Sequence, residues 1–178
     1  MAHRVEIREV YRTYAPPAWV RPTVERILDQ IPDKFITGLK TVVLTEASGL
    51  SRHRRRAKTT SRRKKVRIRE AWGLYHQKSK GEPAWIELFV DNIVHWHGGM
   101  LRVQFIRDYV IGEVLLHEVG HHIHATKAPE YKEKEDVADE WKARMLRLYL
   151  LKRYWYFLPL ARGLVRFSKW IRSIIGSG

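Results

Sequence analysis

His117-Glu118-Val119-Gly120-His121 is the stretch from which the rest of this chain is best read. It has the form H-E-x-x-H. On an α-helix, residues four apart share a face, so His117 and His121 aim two imidazoles at one point, as a tetrahedral zinc ion requires. Glu118 lies one residue on, turned toward the edge of that face, where its carboxylate can hold a metal-bound water. Five residues thus supply two ligands and a general base. The surrounding pattern predicts a helix from Tyr109 to Ala125, with Asp108 as its N-cap. Val110, Val114, Leu115 and Ile123 fall on the side away from the metal face, and Pro129 ends the pattern.

A catalytic zinc takes three protein ligands and keeps a fourth position open. A second helix, from about Tyr131 to Leu150, offers Glu130, Glu133, Glu135, Asp136, Asp139 and Glu140. Spacing separates them. Glu135 and Asp139 are four apart and can face the first helix together, with the small Ala138 beside them to allow close packing. Glu135 is therefore the expected third ligand, completing a site for one zinc ion per chain. Asp139 is then placed to accept the spare N–H of His117, fixing its tautomer and raising its basicity.

Upstream, Val24, Ile27, Leu28 and Ile31 have helical spacing between Pro22 and Pro32, a short amphipathic helix. Thr41 to Thr45 is β-branched and reads as a strand. Ala71 to His76 and Ala84 to Asp91 read as two more, joined by a turn at Lys78 to Pro83. In the latter, Ile86, Leu88 and Val90 alternate with Glu87 and Phe89, a half-buried pattern. Leu101, Val103 and Phe105 form either a further short strand or a loop. Residues 1–21 read as a loosely packed lead-in ending near Pro16-Pro17, residues 22–152 as the main domain, and residues 153–178 as a C-terminal extension.

H-E-x-x-H followed by E-x-x-x-D on the next helix resembles the gluzincin branch of zinc metallopeptidases. The order of elements is also similar to that of small single-domain gluzincins: helix, strand, Gly73-Leu74-Tyr75, the strand with Ile86-Glu87-Leu88, LLHEVGHH, then the glutamate helix. The likeness spans residues 22–150 and leaves out the lead-in, the basic run and the C-terminal segment. The 13 residues between His121 and Glu135 make a compact connection for that branch. A metzincin pattern fails, since Gly and then His should follow the second histidine where this chain has His124 and Lys127.

The resemblance implies an α+β, zincin-like fold: a small mixed twisted sheet, the active-site helix and the glutamate helix, here with a C-terminal amphipathic helix added. It implies a zinc-dependent metallopeptidase, of endopeptidase type. Zinc lowers the pKa of its bound water to about 7. Glu118 takes the proton, hydroxide attacks a peptide carbonyl, and Glu118 returns the proton to the leaving amine. In such enzymes substrate pairs antiparallel with the sheet's edge strand. By position that strand is Ala84 to Asp91, with Trp85, Ile86, Glu87 and Leu88 along the substrate. A further donor should steady the tetrahedral intermediate. Tyr131, His95 and His97 are candidates, the two histidines sharing a face if the strand continues that far, and nothing in the sequence chooses among the three. His122 points about 100° away from His121 and should miss the metal. His124 is displaced from His117 by about 10 Å along the axis, and either lines the cleft or simply ends the helix.

Composition bounds the remainder. With 178 residues and 44% hydrophobic content, the chain can build one proper core. It has no cysteine, which excludes disulfides and thiolate zinc sites. The N-terminal residues lack the apolar segment of a signal peptide, and no run of about 18 uncharged apolar residues occurs. The expectation is a cytoplasmic protein, peripheral at a membrane if its basic segments bind one. Lys and Arg number 34 against 19 Asp and Glu, a net charge of +15, which favours polyanions or anionic surfaces. Much of it lies in residues 52–69, read either as a mobile solvated loop or as a dock for nucleic acid or anionic lipid. No aromatic residue interleaves there to stack on bases. In the tail, Leu160, Leu164, Phe167, Ile171 and Ile174 recur at helical spacing, with Arg162, Arg166, Lys169 and Arg172 largely on other faces. This basic amphipathic helix, 160–174, suits either the domain's own core or a membrane surface or partner. The alternative to a peptidase is a zinc-binding, catalytically silent module, recruited to nucleic acid or anionic membrane by these segments.

Overall fold

The computed structural model describes residues 5–61, 64–79, 81–127 and 134–157. It shows a mixed α+β architecture with a four-stranded mixed sheet and several helices. The chain divides into two units, Met1–Leu146 and Arg147–Gly178.

In the first unit, β1 (Glu6–Val10) leads to α1 (Val20–Leu28) and a single turn α2 (Asp33–Ile36), which return the chain to β2 (Leu39–Thr45). β1 and β2 are parallel, with Glu6 opposite Thr41 and Val10 opposite Thr45. The N-terminal segment is therefore an integral edge strand rather than a loosely packed lead-in. Its side chains are largely exposed, so hydrophobic patterning gave no sign of it. Glu46, fully buried at the end of β2, accepts hydrogen bonds from the backbone N–H groups of Arg12, Thr13 and Tyr14. Burial alone would push its carboxyl up, but these donors outweigh it and hold the group below the ordinary carboxylate range.

The sheet order is β1-β2-β6-β5. β6 (Ala84–Phe89) runs parallel to β2 and antiparallel to β5 (Gly73–His76). β6 is thus a central strand, and the expected substrate edge at Trp85, Ile86, Glu87 and Leu88 is occupied on both sides. The half-buried reading of this strand also fails: Glu87 and Phe89 are buried along with Ile86 and Leu88. Glu87 can be buried because Arg54 reaches it at 2.7 Å and His76 at 3.2 Å. Desolvation would raise its pKa, and those two partners reverse the direction.

Among the described residues of 52–69 the chain takes regular structure instead of a loop, although most of its side chains are exposed. Ser51 caps a short α3 (Arg52–Arg56), and the chain then pairs β3 (Lys58–Ser61) with β4 (Lys64–Arg67) in an antiparallel hairpin. Leu50 and Ile68, at its base, pack against a small core of Ala47, Ala71 and Phe89.

After β6 the chain turns directly into α4 (Val90–His97), then a 3-10 segment, Gly98–Arg102. Of the two readings of Leu101, Val103 and Phe105, the strand does not form: Leu101 lies in this 3-10 segment, Val103 follows it, and Phe105 lies in the next helix. α5 (Gln104–Lys127) starts earlier than predicted, so Asp108 lies within it rather than capping it. Asp108 is fully buried and accepts from Arg26 of α1 at 2.8 Å. This pair ties α1 to α5.

α6 (Lys134–Arg153) follows. Among the described residues, no helix is long and apolar enough to cross a membrane. The second unit contains the last turns of α6 and a 3-10 turn, Trp155–Phe157, with Trp155 and Tyr156 exposed. The expected helix at 160–174 lies outside the described residues.

Candidate metal centre

The metal-facing side of α5 depends on close contact with α6. The two helices run antiparallel: Gly120 faces Ala138 and Gly112 faces Leu146. A Cβ on Gly120 would stand 2.6 Å from the Ala138 carbonyl oxygen and 2.7 Å from its Cα. Glycine and alanine therefore set the separation here, as the small residue at 138 led one to expect. The opposite side of α5, with Val110, Val114, Leu115, Val119 and Ile123, is buried.

This packing brings Glu135 over the two histidines. His117 Nε2 and His121 Nε2 are 3.2 Å apart. Glu135 places one carboxylate oxygen 3.5 Å from His117 Nε2 and the other 3.7 Å from His121 Nε2. Ligand atoms at 2.0–2.2 Å from one tetrahedral ion stand about 3.3–3.6 Å from each other. These separations are close to that size, and one ligand atom from each of His117, His121 and Glu135 lies within 4.8 Å of the others, so the three could hold a metal ion. His117 is buried, while His121 and Glu135 each keep part of their surface exposed, which leaves the cluster open to solvent.

Asp139 fixes the chemistry of His117. Its Oδ1 lies 3.0 Å from His117 Nδ1. An ionised carboxylate only accepts, so Nδ1 carries the proton and the Nε2 lone pair faces the cluster. Burial lowers the pKa of His117, outweighing the charges of Asp139 and Glu135, which favours the neutral form that ligation needs. Lys142 donates to the same Asp139 oxygen at 2.9 Å and also approaches Glu113 at 3.5 Å. The sequence reading passed over Lys142, although its position one turn after Asp139 is the signal that could have found it.

Glu118 is buried on the sheet side of α5. A Cβ on Gly73 would stand 2.9 Å from both Cγ and Oε1 of Glu118, so the missing side chain at the start of β5 makes room for that carboxylate. Among the described residues β5 is an edge strand of the sheet, and its first residue is the one beside Glu118. Its Tyr75 hydroxyl donates to His122 Nδ1 at 3.2 Å, and His122 Nε2–H donates to the Thr37 carbonyl at 3.0 Å. His122 is fully buried, and burial lowers its pKa against the opposing Thr37 bond. It is thus a structural tie between α5, β5 and the turn before β2, consistent with its pointing away from the metal.

The other candidate residues are placed elsewhere or not described. His95 and His97 lie on a helix rather than a strand, where a spacing of two puts them on nearly opposite faces. His95 is exposed. His97 bonds the Ile93 carbonyl at 2.9 Å and packs edge-on against Trp72. His124 is buried. Tyr131, Glu130 and Glu133 lie outside the described residues.

No protein-family model matches this chain, and no curated protein does.

Proposed function

We propose that this chain is a zinc-dependent metallopeptidase, gluzincin-like on a zincin-like fold. The observation that carries the reading is the cluster itself: two imidazole nitrogens and a carboxylate at 3.2, 3.5 and 3.7 Å, with a buried glutamate next in sequence to the first histidine. The donor set of two histidines and one glutamate, without thiolate, is that of catalytic zinc sites. Zinc held there would act as a Lewis acid and make water acidic enough to be a nucleophile near neutral pH.

The chain's own residues do the rest. Asp139 holds His117 in the tautomer that presents Nε2. Glu118 accepts the proton of the attacking water at its carboxylate and delivers it to the departing amine nitrogen. β5, antiparallel to β6 and next to Glu118, offers its outer edge for main-chain pairing with an extended peptide. It takes the role first expected of β6.

The test is metal content and peptide cleavage of the wild type and Glu118→Gln. The variant should bind zinc stoichiometrically and lose cleavage by at least about a hundredfold, the scale of a lost general base. Equal cleavage by both proteins would refute the mechanism. Failure of the wild type to retain zinc would refute the site.

A further inference from the structure

The corner where α4 passes into α5 presents large apolar side chains to solvent. Trp96 is 72% exposed and Met100 55%, and Val103, Phe105 and Tyr109 are exposed as well. α4 already has its buried side, through Val90 and Ile93, and Trp96 lies outside it, touching Trp72 while mostly exposed. Scattered exposed apolar residues need no explanation, but a run of them along one short segment marks a surface with a partner.

Charge selects the partner. From Asn92 to Arg107 there is no acidic residue. The nearest acids are engaged, Asp91 with the Ala47 and Ser48 amides and Asp108 with Arg26. Arg102 is exposed within the run, and Arg107 stacks over Trp19 at 5.4 Å. A surface lacking acids does not attract a basic peptide, and a second copy carrying the same +15 charge is repelled. Tryptophan and tyrosine beside arginine are the side chains that settle at the headgroup level of a bilayer, with their rings in the acyl boundary and the cations at the phosphates.

We propose that the α4–α5 corner, through Trp96, Met100, Val103, Phe105 and Tyr109, is a docking surface for an anionic phospholipid membrane. The Trp96 end of the surface reaches the start of β5. Trp96 and His97 both pack on Trp72, at 6.1 and 5.1 Å between ring centres, and Trp72 directly precedes Gly73, the residue that makes room for Glu118. A docked molecule would hold the outer end of β5 near the lipid surface, where extended segments emerging from a membrane could reach it. Lipid docking itself is independent of whether the site turns over peptide.

Flotation of the full chain with vesicles tests this, using equal parts phosphatidylcholine and phosphatidylglycerol against phosphatidylcholine alone. The wild type should float with the anionic vesicles. The triple variant W96S/M100S/V103S should bind them about tenfold more weakly or worse, given the apolar area it forfeits. Its circular dichroism and zinc content, measured alongside, should be unchanged, which separates loss of docking from loss of the fold or of the metal site. Since the basic hairpin remains in the triple variant, its unweakened binding would show that charge alone adsorbs the protein, and would overturn the proposal. Wild-type protein that stays unbound at low salt would also overturn it. So would a concentration-dependent dimer abolished by the same triple substitution, because a second copy would then be the occupant.

Discussion

Replacing Gly120 with alanine should separate metal binding from folding. The added Cβ would meet the Ala138 carbonyl oxygen at 2.6 Å and its Cα at 2.7 Å. Non-bonded heavy atoms rest at about 3.5–4.0 Å, so the contact is short by roughly 1 Å. The obstacle is backbone and cannot rotate away, so α6 must yield. Overpacking of this kind costs about 1–3 kcal/mol, offset by the roughly 1 kcal/mol that alanine gains over glycine inside a helix. The net loss of stability is about 0–2 kcal/mol, which a native domain of ordinary stability survives. The metal site is less forgiving. Glu135 and Asp139 flank Ala138 on the helix that must move, while ligand distances tolerate only about 0.2 Å. Zinc affinity should therefore fall by about ten- to a hundredfold, the range seen when the groups supporting a ligand are lost. Thermal unfolding gives the first quantity, and competition with a chromophoric chelator gives the second. Gly99→Ala is the control, because an added Cβ there meets nothing within 4 Å. A Gly120→Ala protein that binds zinc as tightly as the wild type would refute the claim that this helix contact sets the third ligand.

Asp139→Asn should weaken zinc binding by about ten- to a hundredfold, since the amide no longer enforces the His117 tautomer; chelator competition reads this directly. Gly73→Ala should leave zinc content intact and reduce cleavage, because the new methyl group would press on Glu118 at 2.9 Å and not on a ligand; the ratio of cleavage to bound zinc is the measurement. Arg54→Ala should destabilise the domain by about 1–3 kcal/mol at neutral pH, the range for a charge-assisted hydrogen bond. Glu87 is held below its ordinary pKa, with Arg54 among the causes. Its contribution is therefore present above the unfolded-state carboxylate pKa and lost as pH falls through the folded one. Denaturant midpoints of the variant and the wild type should accordingly converge in acid, and a constant gap down to low pH would refute the pairing.

The residues of the metal cluster were legible because helical geometry is local. His117 and His121 are four apart, as are Glu135 and Asp139, and a period of 3.6 decides their faces without knowledge of the fold. The strands β2, β5 and β6 were legible as segments for a similar reason. Their order was not. Whether Ala84–Phe89 is an edge or a centre depends on β1, whose exposed side chains carry no hydrophobic pattern, and on β5, which pairs across its other side. The buried glutamate in β6 looked like a solvent-facing residue because its partners come from elsewhere, Arg54 from the basic run and His76 from the adjacent strand. That basic run read as a loop because its charges dominate its composition, whereas its described residues form a helix and a strand pair, with Leu50 and Ile68 at the base packed on a small core. His95 and His97 were misplaced by the same kind of error, a strand continued past Phe89 where the chain becomes helical.

The same helix serves two neighbours that approach unusually closely, and both approaches are made by glycine. On one side Gly73 of β5 stands where a side chain would strike Glu118; on the other, Gly120 of α5 admits the backbone of α6. The first contact sets Glu118 against β5, and the second sets Glu135 and Asp139 against the histidines. Neither glycine carries any chemistry, and neither has a positive φ that would explain its presence by backbone conformation. Their common effect is to draw a sheet edge and an acidic helix to within contact of the same two turns of α5. H-E-x-x-H on an isolated helix would offer two nitrogens and a carboxylate to solvent. Between these two close contacts the two histidines meet Glu135 in a cluster that could hold a metal ion, with Glu118 buried beside Gly73.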